Sequence, residues 1–355
     1  MAAKGAEAPP RFGVAIVGAT PLARSVREAL LERRFPYSEV RLLGVGGAEV
    51  PLTEFNGEPR VLEKAEPGAL RGVHLAFFCE DPATGGAYRA WTEQSGFLGI
   101  DLTGNAPASD APPLAHGGLH DGPLTPKHGW LAAPHPLTHL LVSLLAPIDR
   151  RVRLTAVRGL VLRPAADYGQ AGLDELYQQS VSLFNFSSPP DQVFGRQLAF
   201  NLIPADLLDG ARPMGPLVAA QLAELLGRPG LPVSVFLAAA PVFHAHSVAL
   251  HLEFEGRPTE AALLELLRAS GDLRVDAQRL TAVEVADEIQ PHVGLIRCDP
   301  DQRGAWLWAV ADRVAAAAAR GAVRLAERLL GVTPSAPPAG RRKPGAATGA
   351  GRAPA

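Results

Sequence analysis

The side chains in this sequence best able to do chemistry are its histidines and two thiols. His135 and His139 stand four residues apart, which on a helix puts both imidazoles on one face, and His244 and His246 stand two apart, which on a strand does the same. Imidazoles placed this way suit a divalent metal, and imidazole is the usual general base near neutral pH. His139, however, lies inside the apolar run "LTHLLVSLLA". Scattered structural histidines are therefore expected, and no metal ligand is assigned. Cys79 and Cys298 are too few and too far apart for a disulfide framework, which fits a reducing cytoplasm. Each is expected to be a small structural residue. Pro136, in "APHPLTHLL", suits the first turn of a helix, where its missing N–H leaves nothing unpaired.

These residues need elements to position them. "RFGVAIVGA" is a continuous apolar run closed by Gly18, as a buried parallel strand would be, and "PLARSVREALLERRF" carries Leu22, Val26, Leu30 and Leu31 at helical spacing. "VRLLGVG", "VHLAFFCED" and "FLGIDLTGN" predict further strands, with a helix over "ATGGAYRAWTEQSG". Strands alternating with helices imply an α/β, Rossmann-type doubly wound parallel sheet over residues 11–132. Beyond about residue 150, "VRLTAVRGLVLRP", "VSVFLAAAPVF" and "HSVALHLEFEG" read as longer antiparallel strands and "LDELYQQSVSLF" as a helix, which gives an α+β second domain over 133–310. The Ala-rich segment over 311–331 predicts a strong terminal helix that completes the first domain.

Residues 1–10 and 333–355 are rich in Ala, Pro and Gly and are expected to be disordered. The second tail carries Arg341, Arg342, Lys343 and Arg352, and a solvated tail without a partner is expected. With 355 residues, 47% of them hydrophobic, the chain can bury a large core. Its net charge of −2 predicts neither nucleic-acid nor membrane-surface binding by its body, and no apolar run is long enough to span a bilayer.

Several segments together, "RFGVAIVGAT", "LAFFCEDPATGGAYRAW", "GIDLTGN", "GLDELYQQS", "QLAFNLIP", "PVFHAHSVALHLEFE" and "VGLIRCDPDQRGAWLWAVADRVAAAAARGAVRLAERLL", resemble the aspartate-semialdehyde dehydrogenases over about residues 12–331. The resemblance implies an NADP-binding Rossmann domain, a second domain that supplies catalysis and most of a homodimer interface, and a terminal helix that returns to the first domain. It also implies a cysteine thiolate that attacks the aldehyde, a histidine that handles protons, and release of the product as an acyl phosphate. The family's Asn-Pro-Asn-Cys-x-Thr segment falls on Ala133, Pro134, His135, Pro136, Leu137 and Thr138, so the nucleophile position holds Pro136. The histidine position is retained as His246, whereas the arginine that would clamp a substrate carboxylate falls on Ala239.

The other matched positions are eroded as well. A glutamine position falls near Arg163, a Ser-Gly pair near Ala166 and Asp167, and a phosphate-binding arginine near Pro107. The cofactor turn reads Gly18, Ala19, Thr20, Pro21, Leu22, Ala23, Arg24, with the two later glycines replaced by Pro21 and Arg24. In the last helix, the family's asparagine and lysine align with Gly321 and Ala316. Each change removes a different required interaction, so the expected protein is a catalytically inactive dimeric homologue that acts by binding or as a scaffold, with an enzyme partner or an active paralogue as its conceivable companions. Two alternatives stand beside it: an active NADP-dependent semialdehyde dehydrogenase with a relocated nucleophile, and a nucleotide- or metabolite-binding sensor.

Overall fold

The computed structural model describes residues 10–45, 52–80, 90–91, 96–103, 112–119, 123–208 and 213–332. The two tails, the helix expected over "ATGGAYRAWTEQSG" apart from a few of its residues, and Pro107 lie outside the described residues.

The N-terminal half is built from β1 (Phe12–Val17), α1 (Pro21–Glu32), β2 (Tyr37–Gly44), the hairpin β3 (Leu52–Phe55) and β4 (Glu58–Val61), β5 (Glu63–Lys64), β6 (Leu75–Phe78), β7 (Leu98–Asp101) and β8 (Trp130–Ala132). Six of these strands form a sheet in the order β5-β2-β1-β6-β7-β8, and every neighbouring pair is parallel. Strands β1 and β6 are buried almost throughout, because both faces of a parallel sheet are covered. The chain runs one way from β1 to β2 and the other way from β1 to β6. The carboxyl ends of β1 and β6 therefore flank the topological switch point, where a doubly wound sheet opens a crevice.

The remainder contains α2 (Pro136–Asp149), β9 (Leu154–Arg163), α3 (Gly169–Phe184), β10 (Ile203–Pro204), α4 (Met214–Leu225), β11 (Val233–Ala239), β12 (His246–Phe254), α5 (Glu260–Arg268), β13 (Arg274–Val275), β14 (His292–Cys298), β15 (Gly304–Ala311) and α6 (Val314–Leu329). Its seven-stranded sheet runs β10-β11-β9-β12-β15-β14-β13. The expected antiparallel sheet is corrected to a mixed one, because β9 and β11 pair in parallel, as do β13 and β14. Period-two alternation reports which face is buried and is blind to strand direction. One face of this sheet, with Val157, Val161, Val248, Leu250 and Leu307, packs on Leu140, Leu141 and Leu144 of α2, Leu222 of α4 and Leu263 of α5.

The terminal helix begins at Val314, not at residue 311, because residues up to Ala311 complete β15 in register with β12. Its Ala319, Ala322, Val323 and Ala326 share a core with Ile16, Val26 and Leu30, so α6 packs on the first sheet. A two-pronged ion pair reinforces this return: Arg33, just past α1, donates from Nε at 2.9 Å and Nη2 at 2.5 Å to the buried Glu327.

Candidate functional site

His246 is the first residue of β12 and is buried. The 3-10 turn Ala165–Tyr168 after β9 brings Asp167 to it, and the His246 Nε2–H donates to Asp167 Oδ2 at 3.0 Å. The same oxygen accepts from Arg163 Nε at 2.9 Å, and the Arg163 guanidinium also lies 5.0 Å from the centre of the Tyr168 ring. Burial by itself would raise the Asp167 carboxyl; the imidazole of His246 and the guanidinium of Arg163 overcome it and hold the acid well below the usual carboxylate range. Arg163 pairs in register with Ala239 on the adjacent strand. An arginine thus stands one strand away from Ala239, with its charge committed to Asp167.

Facing this cluster is the start of α2. His135 caps the helix by accepting at Nδ1 from the Leu137 N–H at 3.2 Å, and Pro136 takes the first helical position. Gln221 of α4 fixes the turn by accepting from the His135 N–H at 3.0 Å and from the Thr138 hydroxyl at 2.8 Å. Burial pushes the His135 imidazole down to about 4, while Asp167 pulls it up and Arg163 and His246 push it further down. Asp167, Arg163 and His246 thus all act on the charge of His135. Position 136 itself carries no nucleophile, since proline offers only ring methylenes there, and the nearby Thr138 hydroxyl is engaged by Gln221.

The other histidines are elsewhere. His244 is exposed in the bend before β12, separated from His246 by Ala245 in a left-handed conformation (φ +66°), so the two do not share a strand face. His139 stacks on His116 at 4.5 Å, and its ring occupies the space that a Cβ at Gly321 would need, only 2.6 Å from His139 Cε1. Among the described residues no group of three or more His, Cys, Asp or Glu side chains could hold a metal. Cys79 is buried at the end of β6, where burial and Asp101 push its thiol far up. Cys298 lies in β14, its Sγ on the Pro258 carbonyl at 3.5 Å, and burial and Glu260 raise it too. Neither sulfur is poised as a thiolate.

The turn between β1 and α1 has Gly18 at φ +124°, with its N–H donating to the Leu43 carbonyl at 2.7 Å. Thr20 caps α1 by accepting from the Ala23 N–H at 3.2 Å, and its hydroxyl donates to the Cys79 carbonyl at 3.1 Å. Pro21 begins the helix and Arg24 points to solvent. The Ala19 N–H donates to Glu80 Oε2 at 2.9 Å.

Comparison with known proteins agrees with this architecture. The pattern of the semialdehyde dehydrogenase dimerisation domain matches residues 145–316. Aspartate-semialdehyde dehydrogenase 2 of Vibrio cholerae is 26% identical over 330 residues, which cover 90% of this chain and 98% of the relative. The likeness to semialdehyde dehydrogenases thus runs through about nine-tenths of the chain. A USG-1 protein homolog of Pseudomonas aeruginosa is 29% identical over 338 residues, with 90% of this chain and 98% of that one covered. The crystal structure of V. cholerae aspartate semialdehyde dehydrogenase II superimposes with a TM-score of 0.77 at 25% identity, over 90% of this chain and 98% of that one.

The sequence alone points to His246, Pro136 and the Gly18 turn, and presents Arg163 and Asp167 only as replaced positions. It missed that both join His246, and it missed Glu80 altogether. Two signals were available: an acid four residues beyond an arginine at a strand end, and an acid directly after the strand that neighbours β1.

Proposed function

We propose that this chain is a catalytically inactive member of its family that works as a homodimer, through binding or assembly instead of turnover. The observation that carries this reading is the pairing of Pro136 at the helix start with a His246 whose Nε2 is bonded to Asp167. Acyl transfer through a thioester needs a nucleophilic atom and a base that can reach its proton. Here the helix start offers no thiol, its Thr138 hydroxyl is tied to Gln221, and the His246 Nε2 is tied to Asp167. The Ala239 position leaves a substrate carboxylate without a free guanidinium, because Arg163 is tied to Asp167.

The dimer is supported by the uncovered face of the second sheet. Strand β12 alternates between buried and part-exposed residues, and the open face carries Leu160, Phe236 and Trp306. Nearby elements expose Tyr177, Phe184, Phe186 and Phe200, with Phe184 and Phe200 in edge contact at 5.7 Å. Aromatic area of this extent on a monomer marks an interface. The dimerisation-domain pattern spans the same strands.

The test is NADPH formation with aspartate semialdehyde and phosphate at micromolar protein, beside size determination in solution. No turnover and a dimer are expected. Sustained turnover would overturn the inactive reading, with its loss in Cys79→Ser or Cys298→Ser marking a relocated thiol, and a strict monomer would remove the assembly role.

A further inference from the structure

We propose that Glu80 is a built-in anion. Its carboxylate occupies the phosphate-binding end of the β1–α1 turn, so a phosphate-bearing ligand can enter this crevice only by displacing it. In the family, that turn is where the resemblance places the pyrophosphate of NADP. The residues present do not fit such a group.

Strands β1 and β6 are parallel neighbours in register Val17 to Phe78, and the Cys79 N–H donates to the Val17 carbonyl at 2.9 Å. The chain leaving β6 therefore passes directly under Gly18. A Cβ at residue 18 would lie 2.7 Å from Glu80 Cβ and 3.2 Å from its backbone N, so Gly18 is required here for the approach of Glu80. In a dinucleotide site the glycines of this turn let a ligand's phosphate come close to backbone N–H groups. In this chain the close approach belongs to an acidic residue of the neighbouring strand.

Several donors of the turn are taken as well. The Gly18 N–H donates to the Leu43 carbonyl of the neighbouring strand, the Ala19 N–H to Glu80 and the Ala23 N–H to the Thr20 hydroxyl, while Pro21 has none, which leaves Thr20 and Leu22 as the remaining N–H groups of this turn. The first turn of α1 contains no acid of its own. The positive end of a helix dipole attracts an anion, and Glu80 supplies it from the same chain. Its position at the switch point, outside the carboxyl ends of β1 and β6, is where a ligand of a doubly wound sheet would sit. Like charge then adds to steric overlap: a phosphate brought to the Ala19 N–H meets a carboxylate already bonded to it.

This inference stands apart from the missing nucleophile, because a protein without a thiol could still bind nucleotide undiminished. Its test therefore reads binding and not turnover. The full chain, Glu80→Ala and Glu80→Gln would each be titrated with NADPH, followed by its fluorescence, and with inorganic pyrophosphate, followed by calorimetry. Circular dichroism and thermal melting would establish that the variants are folded.

The native protein is expected to bind neither probe saturably at millimolar concentration. Glu80→Ala is expected to bind at least one of them at least about tenfold more tightly, since one like charge within a few ångströms is removed. Glu80→Gln, which keeps the shape and loses the charge, should fall between them. A folded Glu80→Ala that gains affinity for neither probe overturns the proposal, as does a native protein that binds as tightly as the variant.

Discussion

The His246 cluster and the Gly18 turn are both places where a ligand-facing group meets an acid from its own chain, but they differ in what holds that acid. Asp167 lies between an imidazole and a guanidinium whose side chains are 7% and 11% exposed, under the second sheet's strand ends. Glu80 meets a single backbone N–H in an open crevice. An acid, itself 23% exposed, that is held by two nearly buried cationic side chains is part of what keeps the fold in place, whereas one that meets a neutral donor answers mainly to what is dissolved around it. Mutation should therefore be costly at the first place and cheap at the second.

The largest effect is expected from Asp167→Ala. Removing the acid leaves Arg163 and His246 facing each other without the carboxylate, and breaking a largely buried pair costs about 3 kcal/mol. Urea unfolding should show a lower midpoint at unchanged slope. A loss below about 1 kcal/mol would place the cluster with the solvent-exposed contacts and erase the contrast.

A smaller effect separates the two places by pH. The His135 imidazole is held down to about 4 by burial, against about 6.5 in an unfolded chain. Below pH 6.5 the unfolded state takes up the proton first, so the stability this site contributes is complete above 6.5 and declines as pH falls toward 4. Between pH 7 and pH 5 the loss amounts to about 2 kcal/mol. Asp167, with its pKa held low, contributes its stability above about pH 4 and loses it only below, so it does not enter this window. Melting curves at pH 7 and 5 should show the fall, and His135→Asn, which retains a helix-capping side chain, should flatten it. An unchanged slope in that variant would assign the effect elsewhere, with His139 next, since burial pushes it down to about 4 as well.

The contrast also explains what could be read from the sequence. The parallel sheet was legible because β1 and β6 are unbroken apolar runs, and the α2 start was legible because Pro136 and its neighbours are a local signal. Strand direction in the second sheet was not, since β9 and β11 carry the same alternation in either orientation. The start of α6 slipped because Ala309 and Ala311 favour a helix locally and a strand only through β12. The charge partners were hidden for a similar reason. Asp167 and His246 are 79 positions apart and Ala19 and Glu80 are 61 apart, and no local pattern joins residues that only the strand order brings together.

The smallest effect, and the sharpest one for the comparison, is Glu80→Ala measured for stability alone. Among the described residues its carboxylate accepts from the Ala19 N–H at 2.9 Å, and water can take that donor once the side chain is gone. Two small terms then oppose each other: loss of a favourable charge at the amino end of α1, and relief of a carboxylate held in one rotamer. The net change should stay within about 0.5 kcal/mol. If it does, any gain in pyrophosphate or NADPH affinity in the same variant reports on the crevice and not on a loosened fold. If instead the variant loses more than about 1.5 kcal/mol, Glu80 is a strut between β6 and the β1–α1 turn, and the two places differ in their partners without differing in role.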